Sequence, residues 1–375
     1  MNIFFSIFDF FKLSVRSLGK KARYLAFYIL RIALPRNPYF GPPKGSFSAA
    51  KCLKDGHLKG QLLLSEQSHV PPTDGNLREI AGLGQNNYQP WPIFWTLHTE
   101  ARLIGPTALL VDKNKMACAE AFFNHHSDGD SGYHTVFYLK RKRSGNWTSI
   151  VSLWGLGSNY YHWMMDCLPR LAMLENFPSD TKIIVPSSLA KFQETTLAWL
   201  GLANRIYKYR GNHIVENFYF SSPTAMTGCA NPYAVKFLRN SFLTKGVYSN
   251  HVCDKIYIKR QGNNRGILNA VEVEAFLKKR GWQIIELEEL SLAEQIGLFS
   301  SARAVCGLHG AGFTNLLWCN ATCIAIEFLA HNFLNGCYEA LAECLKVNHN
   351  YIIFQGDRRF RIHIDISVLE KKLPN

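Results

Sequence analysis

From residue 148 onward the chain alternates between two hydrophobic periods, one of two residues and one of three to four. TSIVSLW (148–154) reads as a strand, and the helical stripe of GSNYYHWMMDCLPRL (157–171) follows it. KIIVP is a strand, KFQETTLAWLGL a helix, and RIYKY and ENFYFSS are further strands. YAVKFLRNSFL (233–243) predicts a bridging helix. Beyond it the alternation resumes with DKIYIKR (strand), VEVEAFLKKRG (helix), WQIIELEEL (strand), SLAEQIGLFSSA (helix) and RAVCG (strand). A glycine-rich loop with a short helix comes next, and CIAIEFL is the last strand. Strand and helix alternating on both sides of residue 245 predicts an α/β chain of two Rossmann-like βαβ domains facing a cleft, each with a parallel sheet.

The pattern before residue 148 is different. Ile3, Phe4, Ile7, Phe8, Phe11, Val15 and Leu18 form an amphipathic helical stripe, with Lys12 and Arg16 off it. YLAFYILRIAL (24–34) is apolar but interrupted by Arg31. Neither run reaches the roughly 18 to 20 uncharged apolar residues of a membrane span, and no basic stretch precedes the first run as in a signal peptide. A helix lying in the bilayer interface is the expectation. PRNPYFGPPKGS (35–46) is a Pro/Gly linker, and short turn-rich segments run from there to about residue 145. Among them QNNYQPWPIFW (85–95) sets four aromatics between prolines.

Composition sharpens this. With 47% hydrophobic and 19% charged residues the chain fills sizeable cores and is not broadly disordered. Seven basic residues against Asp9 give residues 1–36 a net +6, which leaves +8 of the formal +14 on the rest of the chain. A basic body of that kind suits phosphate-bearing small molecules or an anionic membrane surface. Nothing in the chain has the spacing of a zinc finger or an RNA-binding signature, so nucleic acid is not an expected partner. The ten cysteines include no CxxC pair, and several sit in apolar stretches, such as Cys306 and Cys323, as reduced core thiols do.

Two stretches carry candidate chemistry. In RAVCGLHGAGFTNLLW (303–318) Gly307, His309, Gly310 and Gly312 lie between a strand and a helix. Glycines admit close backbone approach, and a helix start offers unpaired N–H groups to an anion. The loop has neither the P-loop lysine nor the GxGxxG spacing. A histidine there supplies a donor that becomes cationic beside a phosphate. Arg260 ends the first strand of this half and Arg265 follows its turn, both at the carboxyl edge where α/β folds bind ligands. Glu327, on the last strand, is expected at the same edge to accept ribose hydroxyl hydrogen bonds. Together these describe a nucleotide-diphosphate pocket without a metal. Ser291 and Glu294 read as a capping box, which removes Glu294 from the chemistry. In the other stretch, His162, Asp166 and Arg170 fall at i, i+4 and i+8, on one line of an otherwise apolar helix. Titratable groups in such a place need partners.

NYYHWMMDCLPRL, KIYIKR…R…N, the SLAEQI helix and GLHGAGFTN, in that order and spacing, resemble glycosyltransferase family 61 over about residues 150–330. That family includes bacterial capsular-polysaccharide proteins and eukaryotic xylosyl- and O-linked N-acetylglucosaminyl-transferases. The resemblance implies a GT-B-like fold, a nucleotide-sugar donor in the C-terminal half, no cofactor, and inversion at the anomeric carbon. It extends the donor-binding set to Gly310, Ala311, Gly312 and Asn315 of the motif. Ala270, after Asn269, departs from the acidic residue that many relatives carry.

An inverting transferase needs a base for the acceptor hydroxyl. Asp166 serves as that base, or orients His162 to do so. Arg170 holds Asp166 ionised, crosses to a phosphate, or is structural, with Pro169 able to shift it off the line. The expected organisation is a membrane-surface segment (1–36), an acceptor domain (37–245), a donor domain (246–350) and a tail (351–375). The expected protein is cytoplasmic and peripheral at the inner face of the membrane. It builds capsular or exopolysaccharide from a nucleotide sugar and a glycan or lipid-linked glycan acceptor. Three alternatives stand beside this. One is a eukaryotic-type protein or N-glycan transferase. Another uses Asp128-Gly-Asp130, after His125 and His126, as the DxD of a metal-dependent transferase. The last is a membrane-attached polysaccharide-assembly protein without turnover.

Overall fold

The Ala304–Leu308 strand is buried along its whole length, as expected of a parallel strand covered on both faces. It lies at the centre of the second of two sheets in the computed structural model, which describes residues 45–65, 92–122, 141–152, 154–246, 253–260 and 265–374. The amphipathic stripe of residues 1–36 and the Asp128/Asp130 pair lie outside the described residues.

The first sheet contains β1 (Gly45–Phe47), β2 (Gly60–Leu64), β3 (Ile93–Ile104), β4 (Leu109–Val111), β5 (Met116–Cys118), β6 (Arg141–Ser149), β7 (Lys182–Val185), β8 (Ile206–Lys208) and β9 (His213–Ser221). Its order is β1-β5-β4-β3-β9-β6-β7-β8, with β2 on β3. The run β9-β6-β7-β8 is parallel, as the alternation predicts. On the other side of β9, however, β3 is antiparallel to β2, β4 and β9. The sheet is therefore mixed, and the turn-rich stretch before residue 145 is built into it. Alternation along the twelve residues of β3 is weak because both faces are covered, so period alone does not mark the strand. The strand expected at 148–154 is also displaced: β6 ends at Ser149, and a 3₁₀ turn begins at Trp154.

The second sheet, β10 (Lys255–Lys259), β11 (Gln283–Glu286), β12 (Ala304–Leu308), β13 (Ile324–Ala330) and β14 (Asn348–Phe354), is parallel throughout, in the order β11-β10-β12-β13-β14. The chain reverses its direction of winding between β10 and β12, and the carboxyl edge at such a switch point is where α/β sheets bind ligands. Helix Leu292–Ser301 opens with the expected capping box, Ser291 N donating to Glu294 at 2.7 Å. Residues 351–375, set apart in the sequence as a tail, supply the end of β14 and the helix Ile366–Lys372. Ile362, Ile364 and Leu369 of this stretch pack on one face of the sheet.

The opposite face shares one hydrophobic cluster with the helices of the first half. Trp163, Met164 and Leu168 there join Ile256, Val305, Phe313 and Trp318, through Val235, Leu238 and Phe242 of the bridging helix Pro232–Phe242. All ten cysteines are free thiols, seven of them buried, which fits a core-filling role. Among the described residues no helix is long and apolar enough to cross a membrane.

Candidate active site

The segment after β6 is not one regular helix. Asn159 caps it, accepting from His162 N at 3.3 Å. An α turn at Tyr160–His162 widens into a π turn over Trp163–Cys167 and then tightens to 3₁₀ over Leu168–Asn176. Leu168 N donates back to Trp163 O, five residues away. Pro169 explains the irregularity, since its ring clashes with the carbonyl four residues earlier and it has no N–H to donate.

This changes the line of three ionisable groups. His162 Nδ1 stays 2.8 Å from Asp166 Oδ2. Arg170, in a stretch with about three residues per turn, is carried about a third of a turn away. Its Nη2 and Nε donate to Ser221 O at 2.7 and 3.1 Å, its Nη1 donates to Val151 O at 3.3 Å, and its guanidinium lies over Phe220. Burial lowers its pKa to about 10. The expectation that Arg170 pairs with Asp166 or reaches a phosphate is corrected: of the three roles considered, the structural one matches its contacts.

Thr227 completes the pair's surroundings, and nothing in its local sequence marks it. Its hydroxyl donates to Asp166 Oδ2 at 2.8 Å and lies 3.2 Å from His162 Nδ1. Burial pushes the Asp166 carboxyl above the usual aspartate range, against the His162 and Thr227 interactions that pull it down. The side chain of Asp166 is 2% exposed and that of His162 19%, so only the imidazole meets solvent appreciably. Trp154, half exposed, stacks on His162 with ring centroids 5.8 Å apart.

At the switch point of the second sheet, Arg260 follows β10 and donates from Nη1 to His309 O at 3.1 Å. Burial lowers the Arg260 pKa, and the charge of Arg265 lowers it further. Arg265 has φ +53° and lies with its guanidinium 4.9 Å from the centre of the Phe333 ring. His309 packs on the same ring, at 5.6 Å. Neither arginine makes an ion pair among the described residues. Gly310 is required by this approach, because a Cβ there would meet Arg260 Nη1 at 2.1 Å. Ala311 and Gly312 open the 3₁₀ helix Ala311–Trp318 directly after it.

Two residues of the expected donor set are placed differently. Glu327 does not end its strand at the rim. It lies within β13 at 0% exposure, with Oε1 2.5 Å from His309 Nδ1 and Oε2 3.1 Å from His349 Nε2. Each oxygen holds one histidine and the side chain is fully enclosed, so it is not presented to a ribose. Burial alone would raise Glu327, but His309 and His349 outweigh it and hold the carboxyl below the usual glutamate range. Asn315 is also fully buried. It accepts from Tyr160 OH and Trp318 Nε1, both at 3.0 Å, and donates to Gln295 and to Gly312 O. Its amide therefore bolts the glycine-loop helix to the NYYHW turn, with no group left to bind a ligand.

Two tyrosines link these centres. Tyr161 packs edge-on against His162 at 5.3 Å and against Tyr338 at 5.7 Å, and Tyr338 lies 5.2 Å from His309. The fold thus brings the His162 and His309 neighbourhoods to the two ends of one short aromatic wall. In both histidines Nδ1 is tied to a buried carboxylate, and Nε2 has no hydrogen bond among the described residues. No group of three or more metal-ligating side chains occurs among the described residues.

Residues 160–326 match the family model described as Glycosyltransferase 61. No curated protein matches the chain. The matched span includes His162, Asp166, Thr227, Arg260, Arg265 and His309, and it ends short of Glu327 and His349.

Proposed function

We propose, from the match of residues 160–326 to the Glycosyltransferase 61 family model, that this chain is a transferase of that family: an inverting, metal-independent enzyme that moves a sugar from a nucleotide-diphosphate donor to a glycan acceptor. Glycosyl transfer follows from the family. The finer reading is supported chiefly by one observation: Arg260, Arg265 and His309 gather at the β10/β12 switch point, and among the described residues no carboxylate forms an ion pair with either arginine. Two guanidiniums kept together in a half-buried place call for an anion, and bidentate Arg–phosphate contacts suit a diphosphate leaving group. The Ala311–Trp318 helix start adds backbone donors beside it.

Across the aromatic wall, His162 is the base. Its Nδ1 faces Asp166, so Nε2 is the nitrogen left to take the acceptor hydroxyl's proton as that oxygen attacks the anomeric carbon. Asp166 orients the ring and stabilises the imidazolium that forms. Negative charge developing on the departing diphosphate is met by the arginines and His309. The two halves act as the two sides of a GT-B-like cleft, the first holding the acceptor and the second the donor. The basic first 36 residues hold the enzyme at an anionic membrane surface, on the inner face of the membrane, where capsular or exopolysaccharide precursors are built.

A panel of nucleotide sugars with glycan and lipid-linked glycan acceptors, in EDTA, tests this reading. Turnover with a product of inverted anomeric configuration, read by proton NMR, is the expected outcome. Donor binding without hydrolysis or transfer would favour the non-catalytic assembly protein. A strict manganese requirement would return attention to Asp128 and Asp130.

A further inference from the structure

The His309 side of the cleft contains one arrangement that the reaction as described does not use. Glu327 is fully buried and holds a histidine on each oxygen, His309 at Oε1 and His349 at Oε2. We infer that His349 is a positioning residue of the donor site, fixing His309 through Glu327 so that His309 Nε2 faces the diphosphate.

The strand register makes the contact. His349 pairs with Ala325, and Glu327 lies two residues further along β13, so the two side chains emerge on the same face of the sheet. A buried carboxylate needs donors on both oxygens. His309 alone satisfies only Oε1. Without His349, Oε2 has no partner among the described residues, and the carboxyl group is free to take up a proton or to turn. Either change loosens its hold on His309 Nδ1. The second nitrogen of His349, Nδ1, is buried and unpartnered, which suits a neutral ring carrying its proton on Nε2. In that form His349 donates to Oε2 and His309 donates from Nδ1 to Oε1. His349 Nδ1 is enclosed, so His309 Nε2 is the nitrogen of the pair left for a ligand, and it donates to the diphosphate when the ring becomes cationic beside that anion.

This inference rests on the donor reading above, and the experiment separates the two. Inorganic pyrophosphate is titrated calorimetrically into the wild-type protein, His349→Leu and His349→Gln, with ring ¹⁵N shifts of His309 and His349 recorded in parallel. The wild type should bind pyrophosphate and show His349 protonated at Nε2 and bare at Nδ1. His349→Leu should bind roughly tenfold more weakly, the lower end of the range for partners that orient a ligating histidine, and should shift the His309 ring signals. His349→Gln, whose amide still donates, should recover most of the affinity. Failure of the wild type to bind would sink the donor reading itself. Binding in the wild type with unchanged affinity and unchanged His309 signals in His349→Leu would overturn the positioning role alone. Should His349→Leu not fold, the wild-type spectrum still decides, because a His349 ring bare at Nε2 cannot donate to Glu327.

Discussion

His162 Nδ1 lies 2.8 Å from Asp166 Oδ2, with the carboxylate enclosed and the imidazole open to solvent. On the function proposed here, that asymmetry suits His162 as the base and Asp166 as the residue that orients it. It also separates stability from activity. Burial raises the Asp166 pKa, so the ionised carboxylate is held at a cost at neutral pH.

Asp166→Asn should lower kcat by roughly 10²–10⁴, the usual share of general acid–base catalysis, while leaving donor affinity nearly unchanged. Its melting temperature at pH 7 should equal or exceed that of the wild type, because the folded-state pKa lies above the unfolded one and ionisation opposes folding. Loss of melting temperature with normal turnover per folded molecule would make the pair a structural ion network.

Arg170 predicts the reverse pattern. Arg170→Met removes the donors to Ser221 O and Val151 O, and should cost about 2–4 kcal/mol in denaturant unfolding. Pyrophosphate affinity should not change. A selective loss of that affinity would restore a phosphate role.

Gly310→Ala tests the closeness of the Arg260 approach. Since a Cβ at this position meets Arg260 Nη1 at 2.1 Å, the guanidinium must move. Pyrophosphate binding should fall by about 1–3 kcal/mol, as for a lost hydrogen bond to a charged group. Thermal stability should change little, because the obstructed atom is the end of a flexible side chain. Unchanged binding would place the anion elsewhere.

Much of this was legible in the residues. The parallel second sheet follows from alternating periods, the switch-point loop from its glycines, and the His162–Asp166 contact from i,i+4 spacing. Arg170 leaves the line that i, i+4, i+8 spacing predicts because the regular helix ends before Pro169. Glu327 lies inside its strand rather than at the rim because the apolar run IAIEFLA continues past it and hides the strand's end. Asn315 carries a family motif, and motif membership alone does not separate binding from packing. Thr227 and His349 come from distant loops and strands that only the fold brings together, so no local pattern signals them.

Glu327 gives a pH dependence of opposite sign to Asp166. Its folded pKa is depressed, so its contribution to stability is complete above the ordinary glutamate value and is lost as pH falls through the folded value. Glu327→Gln should therefore be less stable than the wild type by about 3 kcal/mol at pH 7, and the gap should narrow on acidification. Melting curves of both proteins from neutral to acid pH provide the check. A gap that stays constant or widens would mean the carboxylate is not held ionised by its two histidines.

The central claim is that the carboxyl edge at the β10/β12 switch point binds the diphosphate of a sugar donor. Calorimetric titration of a panel of nucleoside diphosphates in EDTA, into the wild type and Arg260→Ala, tests it most directly. The account predicts metal-free binding of at least one nucleotide by the wild type, weakened by about 1.5–3 kcal/mol in the variant. Equal affinity in the two proteins, or binding only when a divalent metal is supplied, would contradict it.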